Sequence, residues 1–407
     1  MQVCYSSKGL LDLSRLEKSI NNMVNAGFGE MMLDLSTFYA KGHLEMYGKS
    51  VFSFDVQEMR ERYEKLMCFC NKGIVQIKIM RAPHLKWDTK RLDLNSLLLR
   101  IGQECIVHCG EGGRKYLIIQ PLFAGVSKAD EWKENYRYYY ELGRAAVKKN
   151  VCILLENQCN NINGHLVRGV CADAAIASAW IDELNDELGE EVFGYCLDTG
   201  ACSLCGQSMG EMAVVLGHRL KAVLLRECDG VHEASRLPFT GRNENGINTD
   251  WQSLFRGLRR IEFDGMLVVA AGDTLGGFSH LLRQQIYPVI KSTAEYFRWQ
   301  IEMEKAIKRC SARVLFGAGN MCRNYMKFYG EKYPPLFVCD NNSKLWGTKI
   351  CGLEVKEPEV LKKMPPECAV IICNTFYSEI AEQLRTMGIR NIKTYNDEYL
   401  PEGFFCQ

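Results

Sequence analysis

Two acids close apolar runs and invite a chemical reading: Glu156 in VCILLENQ and Asp198 in YCLDTG. Carboxylates are seldom fully buried without a partner. Two of them at the ends of neighbouring strand-like runs therefore need a metal, an organic cation or solvent between them. Two guanidinium groups occupy comparable points, Arg81 in IKIMRAPH and Arg226 in VLLRECDG. A guanidinium presents a planar fork that meets a carboxylate or phosphate through two bonds. His84, Gln120 in LIIQPLF, Glu227 and His232 complete the polar set at these run ends and in the loops after them.

The elements that would position this set follow from the alternation of the text. Short apolar runs (MQVCYSS, EMMLDLS, IVQIKIM, YLIIQPL, VCILLEN, VFGYCLD, KAVLLRE, MLVVAAG) alternate with longer stretches whose apolar residues recur every three or four positions. Eight such strands, each with room for a helix, predict an α/β chain whose residues 1–276 close into a (β/α)8 TIM barrel. In that fold, chemistry sits where strands end, which is where the acids and arginines stand. Strand parity points Arg81 and Arg226 inward with them. A closing helix and connector are expected over 277–311. A small Rossmann-like parallel-sheet domain is then expected over 312–407.

That last domain has its own candidate ligand site. In VLFGAGNMC, Gly317 and Gly319 permit a tight turn that leads into a helix at Asn320, where backbone amides favour a phosphate. Asp340, ending LFVCD about twenty residues on, takes the place of a ribose-binding acid, while Cys322 replaces the third glycine of the dinucleotide motif. The segment FVCDNNSKLWGTKICGLEV resembles small sugar-nucleotide-binding units. A weakly held nucleotide over Gly317, Gly319, Asn320 and Asp340 is the corresponding expectation.

The barrel region resembles the xylose-isomerase-like superfamily of sugar isomerases and epimerases. LLENQ is similar to its strand-five glutamate motif, LDTGACSLCG to its strand-six Asp-Thr-Gly-His motif, and LLRECDGVHEASRLPF to its strand-seven region. The resemblance implies a sugar or sugar-phosphate ligand and catalysis by Glu156 and Asp198. It also implies a divalent metal held by Glu, Asp, His and Glu from strands five to eight. Here only Glu156 and Asp198 are metal-ligand types; the histidine position is Leu224 and the last glutamate position Ala270. Histidines usual elsewhere in the family become Arg81, Gln120 and Ala201. The favoured expectation is a metal-depleted mouth that binds, or acts without metal on, a sugar-like molecule. Arg81, His84, Gln120, Arg226, Glu227 and His232 would contact that ligand. The alternatives are an active metal-dependent isomerase with a rearranged shell that recruits His232, or a scaffold barrel whose only ligand is the nucleotide.

Composition narrows the partners. Lysine plus arginine (50) balances aspartate plus glutamate (49), so no basic surface for nucleic acid or membrane is expected. No apolar run approaches the roughly 20 residues of a membrane span. The N-terminus lacks a signal-peptide pattern, and the 19 cysteines are scattered through apolar runs as small hydrophobes. Both point to a reducing, cytoplasmic setting.

Overall fold

The computed structural model describes residues 1–38, 56–84, 90, 92–123, 127–241 and 249–395. The chain divides into two compact units, Met1–Arg298 and Trp299–Gln407, and the division falls within a long helix, Arg283–Lys308. No helix among the described residues is long and apolar enough to cross a membrane.

The first unit is a closed barrel of eight parallel strands: β1 (Gln2–Ser6), β2 (Glu30–Asp34), β3 (Gln76–Arg81), β4 (Tyr116–Ile118), β5 (Cys152–Glu156), β8 (Phe193–Asp198), β9 (Leu220–Leu225) and β10 (Met266–Val269). They are wrapped by helices, so both faces of each strand are covered and the strands read as nearly continuous apolar runs. Side chains alternate between the two faces. Met32, Ile79, Ile118, Leu154, Cys196, Leu224 and Val268 belong to one buried cluster. The residue two positions beyond each continues the same face at the strand tip: Asp34, Arg81, Gln120, Glu156, Asp198, Arg226 and Ala270.

Between β5 and β8 the chain forms an antiparallel hairpin, β6 (Cys159–Ile162) with β7 (His165–Arg168). Asn163 and Gly164 turn it with φ of 53° and 86°. Two left-handed residues in a row are what a two-residue hairpin of type I′ requires. The helix Ala174–Leu188 then begins under Asp173, whose carboxylate caps the amides of Ala175 and Ile176, and ends at Gly189 in the left-handed region.

The second unit holds a six-stranded sheet in the order β13-β14-β12-β11-β15-β16. Its strands are β11 (Arg313–Phe316), β12 (Val338–Cys339), β13 (Lys349–Ile350), β14 (Leu353–Lys356), β15 (Ala369–Ile372) and β16 (Ile392–Thr394). Five strands run parallel, but β13 pairs antiparallel with β14. The sheet is therefore mixed, where a purely parallel one was expected. The cause is the tight turn at Cys351 and Gly352, both at positive φ. So short a connection can join only antiparallel neighbours. Leu315, Val338 and Ile371 pack on one face with Cys322 and Tyr325; Val314, Phe316 and Ile372 pack on the other with Ile380 and Leu384.

Candidate functional site

At the barrel mouth the two acids are each held by an arginine. Arg81 donates to Glu156 from Nε (3.2 Å to Oε2) and from Nη2 (3.0 Å to Oε1, 2.9 Å to Oε2). Its Nη1 lies 3.6 Å from Oδ2 of Asp34. Arg226 donates from Nε to both oxygens of Asp198, at 2.7 and 2.8 Å. Its Nη2 reaches Glu233 (2.8 Å) and its Nη1 the carbonyl of Ala234 (3.1 Å). Glu156, Asp198 and Arg226 are all buried, and Asp34 with them.

Local structure fixes these side chains. Asp198 ends β8 and caps the short helix Thr199–Leu204, its Oδ1 accepting from Gly200 (2.9 Å) and Ala201 (3.2 Å). The Asn157 amide clamps the Asp198 backbone, donating to its carbonyl at 2.9 Å and accepting from its N–H at 2.7 Å. The Thr199 hydroxyl bridges the Leu224 and Arg226 carbonyls and accepts from the Arg226 amide. A Cβ on Gly200 would stand 2.9 Å from Cγ and Nε of Arg226, so glycine there leaves the space the guanidinium crosses.

Electrostatics separate the two acids. Burial lifts the Glu156 carboxyl to about 7; the Arg81 charge opposes this and the nearby Asp198 adds to it. Burial also disfavours Asp198 as an anion, yet the charge and hydrogen bonds of Arg226, with Arg81 and the capping amides, bring it below its ordinary value. Both arginines are held firmly protonated by their acids.

A cavity of about 590 Å³ opens over this array. Arg81, His84, Gln120, Asp198 and Arg226 line it, as does Ala201. Lys8, Asp34, Gln158, Asn160, Asn161 and Glu233, which were not among the expected site residues, line it too. Asp34 carried a readable signal, since EMMLD ends in an acid as LLE and CLD do. Glu156 lies beneath Arg81 and has no exposed surface. Two residues expected to contact the ligand, Glu227 and His232, are not among those lining this cavity. The Glu227 carboxylate accepts from the Gly241 amide (2.8 Å), and its backbone bridges Arg236, so it ties down a loop. The His232 side chain is 77% exposed and paired with Asp229 at 3.2 Å. The local Asp229 turn holds it away from Glu156 and Asp198.

The donor set does not match the four-ligand metal site that the resemblance implies. Metal oxygens need approach at about 2.0–2.6 Å, and here guanidinium nitrogens already approach both carboxylates of the pair. Leu224 and Ala270 offer no lone pairs. Among the described residues, no three His, Cys, Asp or Glu side chains gather around a point that could hold an ion.

In the second unit, Gly317 turns at φ 108°, and a Cβ there would meet the Cys373 carbonyl at 2.7 Å. The helix Asn320–Tyr329 starts from Gly319 with no side-chain cap, and the space beside Gly319 is open. Asp340, expected as the ribose-binding acid, bonds to backbone amides of its own neighbourhood. Its Oδ2 accepts from the Ala318 amide (2.7 Å) and its Oδ1 from Asn342 (2.8 Å), so it braces the turn. Cys322 is fully buried among the core residues of one sheet face.

Residues 96–285 match the family described as xylose isomerase-like TIM barrel. No curated protein sequence matches the chain. Among solved structures, the chain is similar to a D-tagatose 3-epimerase-like protein, with 13% identity over 75% of this chain and 100% of the other, at TM-score 0.52. It is similar to a D-psicose 3-epimerase determined in the presence of D-fructose, with 12% identity over 73% and 99%, at TM-score 0.51. It is also similar to D-allulose 3-epimerase from Methylomonas sp., with 14% identity over 73% and 98%, at TM-score 0.50.

Proposed function

From a barrel of the xylose isomerase-like fold, we propose that this protein binds an uncharged sugar or similar polyol at the mouth, without a divalent metal. The observation that carries the reading is the pairing of both arginines with internal acids. Lys8, Arg81 and Arg226 line the cavity as cations, and Asp34, Asp198 and Glu233 as anions. Glu156 adds a further acid under Arg81. No excess of positive charge faces the ligand, so a phosphate ester gains nothing over the free sugar. Amide groups suit a polyol better: Gln120, Gln158, Asn160 and Asn161 offer both donors and acceptors. Oε1 of Gln158 is buried with no hydrogen-bond partner.

Glu156 and Asp198 act here as positioning residues. Each is already held by an arginine through both oxygens, which fixes its orientation and engages it with the protein rather than with a substrate proton. Arg81 and Arg226 supply the charge balance that a metal supplies in a metal-dependent isomerase. The test is calorimetric titration of chelator-treated, full-length protein with D-fructose, D-tagatose and fructose 6-phosphate. Metal-independent binding of a free sugar, no tighter for the phosphate, is expected. Turnover or binding that requires manganese or magnesium and disappears in Glu156→Gln would restore the metal-dependent reading.

A second, separate reading concerns the uncapped helix at Asn320, where the open space beside Gly319 favours weak nucleotide binding. Titration with uridine and adenine nucleotides should give micromolar or weaker affinity, lost in Gly319→Val. No binding to either would leave the glycine turn as fold geometry alone.

A further inference from the structure

At the opposite end of the barrel, where strands begin, lies a larger cavity of about 1100 Å³. It touches the first residues of β1, β3, β4 and β10 and is walled by the helices Val56–Cys70 and Leu92–Glu111. Arg114, in the loop before β4, lines it with only 7% of its surface exposed. All the partners of that guanidinium are neutral. Nη1 donates to the Tyr63 hydroxyl (2.6 Å) and the His108 carbonyl (3.0 Å), and Nη2 points to the Met67 sulfur at 3.2 Å. Its Nε has no hydrogen-bond partner, and the buried Nε2 of His108, a second lining residue, lies 3.6 Å from Oε1 of Glu104.

A buried guanidinium costs several kcal/mol unless a counter-charge meets it. The carbonyl end of the helix Leu92–Glu111 supplies only a partial negative charge. Among the described residues, the acids of this wall are engaged elsewhere or exposed. Glu104 is bonded by Arg60, and Glu111 faces Lys149 at 3.8 Å. Glu64 is exposed and acts on Arg60. Lys115, next in the chain, makes no ion pair among the described residues; its ammonium lies 5.6 Å from the Tyr116 ring centre.

We propose that this cavity is a second ligand site that takes a small organic oxyanion, its phosphate or carboxylate set against Arg114 and Lys115. The Tyr63 ring, Met67 and Val75 offer apolar surface for the rest of the molecule. The site lies at the end of the barrel away from the mouth, so its occupant stabilises the fold there without touching the sugar. This inference stands independently of the sugar reading.

The probes are inorganic phosphate and succinate, titrated into full-length protein at constant ionic strength, with melting temperature and calorimetric heat as readouts. Saturable stabilisation by one of them is expected, and which of the two acts assigns the group. Arg114→Gln should weaken it at least tenfold and Lys115→Gln less, while Arg219→Gln, which breaks a pair with Asp182 elsewhere, should leave it unchanged. Arg114→Lys keeps the cation and should retain part of the response even if Arg114→Gln folds poorly. No saturable effect from either anion, or an undiminished effect in both Arg114→Gln and Lys115→Gln, would overturn the proposal and leave Arg114 as a helix cap.

Discussion

Each nitrogen of the Arg226 guanidinium already has an acceptor: Asp198, Glu233 or the Ala234 carbonyl. Removing the side chain leaves Asp198 buried with only the capping amides and the more distant Arg81 charge to hold it. Loss of one partner from a buried pair costs about 3–5 kcal/mol. Arg226→Met should therefore lower stability by that amount in urea denaturation, and Asp198→Asn in the same background should recover part of it. A loss under about 1 kcal/mol would mean that water reaches Asp198. Glu156 should respond to pH in the opposite direction from an acid whose value is lowered by its partner. Its folded value is raised to about 7 from 4.5, so the folded protein holds a proton that the unfolded chain releases. Its stabilising contribution is complete below about 4.5 and is lost as pH rises through about 7. Compared with Glu156→Gln, the native chain should lose stability between pH 5 and 8. Parallel pH profiles for the two proteins would rule this out.

At the scale of elements, the helices before and after β9 in the chain pack backbone to backbone. Helices Met209–Leu216 and Trp251–Arg260 meet at Gly210 and Gly257. A Cβ on Gly210 would fall 2.2 Å from the Ser253 carbonyl oxygen, and one on Gly257 would fall 2.6 Å from the Gly210 carbonyl oxygen. Backbone atoms cannot yield as a side-chain tip can, so Gly210→Ala should cost about 1–3 kcal/mol. Gly276→Ala, with nothing within 4 Å, should cost nothing in the same thermal denaturation. The hairpin after β5 is legible in the sequence: Asn163-Gly164 between NNI and HLV is the strongest short-range hairpin signal. The antiparallel edge of the second sheet carried a weaker signal, Cys351-Gly352. Strand pairing there is decided by a turn of only two residues, which composition does not weigh.

At the scale of the whole molecule, two cores are built separately, one inside and around the barrel and one on the two faces of the second sheet. Leu315 is fully buried in the second. Leu315→Ala should destabilise that unit by about 2–5 kcal/mol while leaving sugar affinity at the mouth unchanged. Calorimetric unfolding alongside sugar titration checks both. A variant that loses sugar binding together with the second core would show that the units unfold as one.

The barrel itself followed from the sequence, because eight apolar runs at helix-long intervals have few other ways to bury both strand faces. The inward set at the mouth followed as well. Side-chain parity along a strand is strictly two, so Arg81, Glu156, Asp198 and Arg226 continue the faces of Ile79, Leu154, Cys196 and Leu224. Which arginine would meet which acid depended on strand order and stagger. Arg81 reaches across to Glu156 on β5, and Arg226 to Asp198 on the adjoining β8, distances that no local pattern encodes. The fate of His232 was also decided in three dimensions, by a turn around Asp229 that faces it outward. So was the cavity at the far end of the barrel. Arg114 reads in the sequence as an ordinary loop residue, and only the packing of two helices over it makes its charge a buried one.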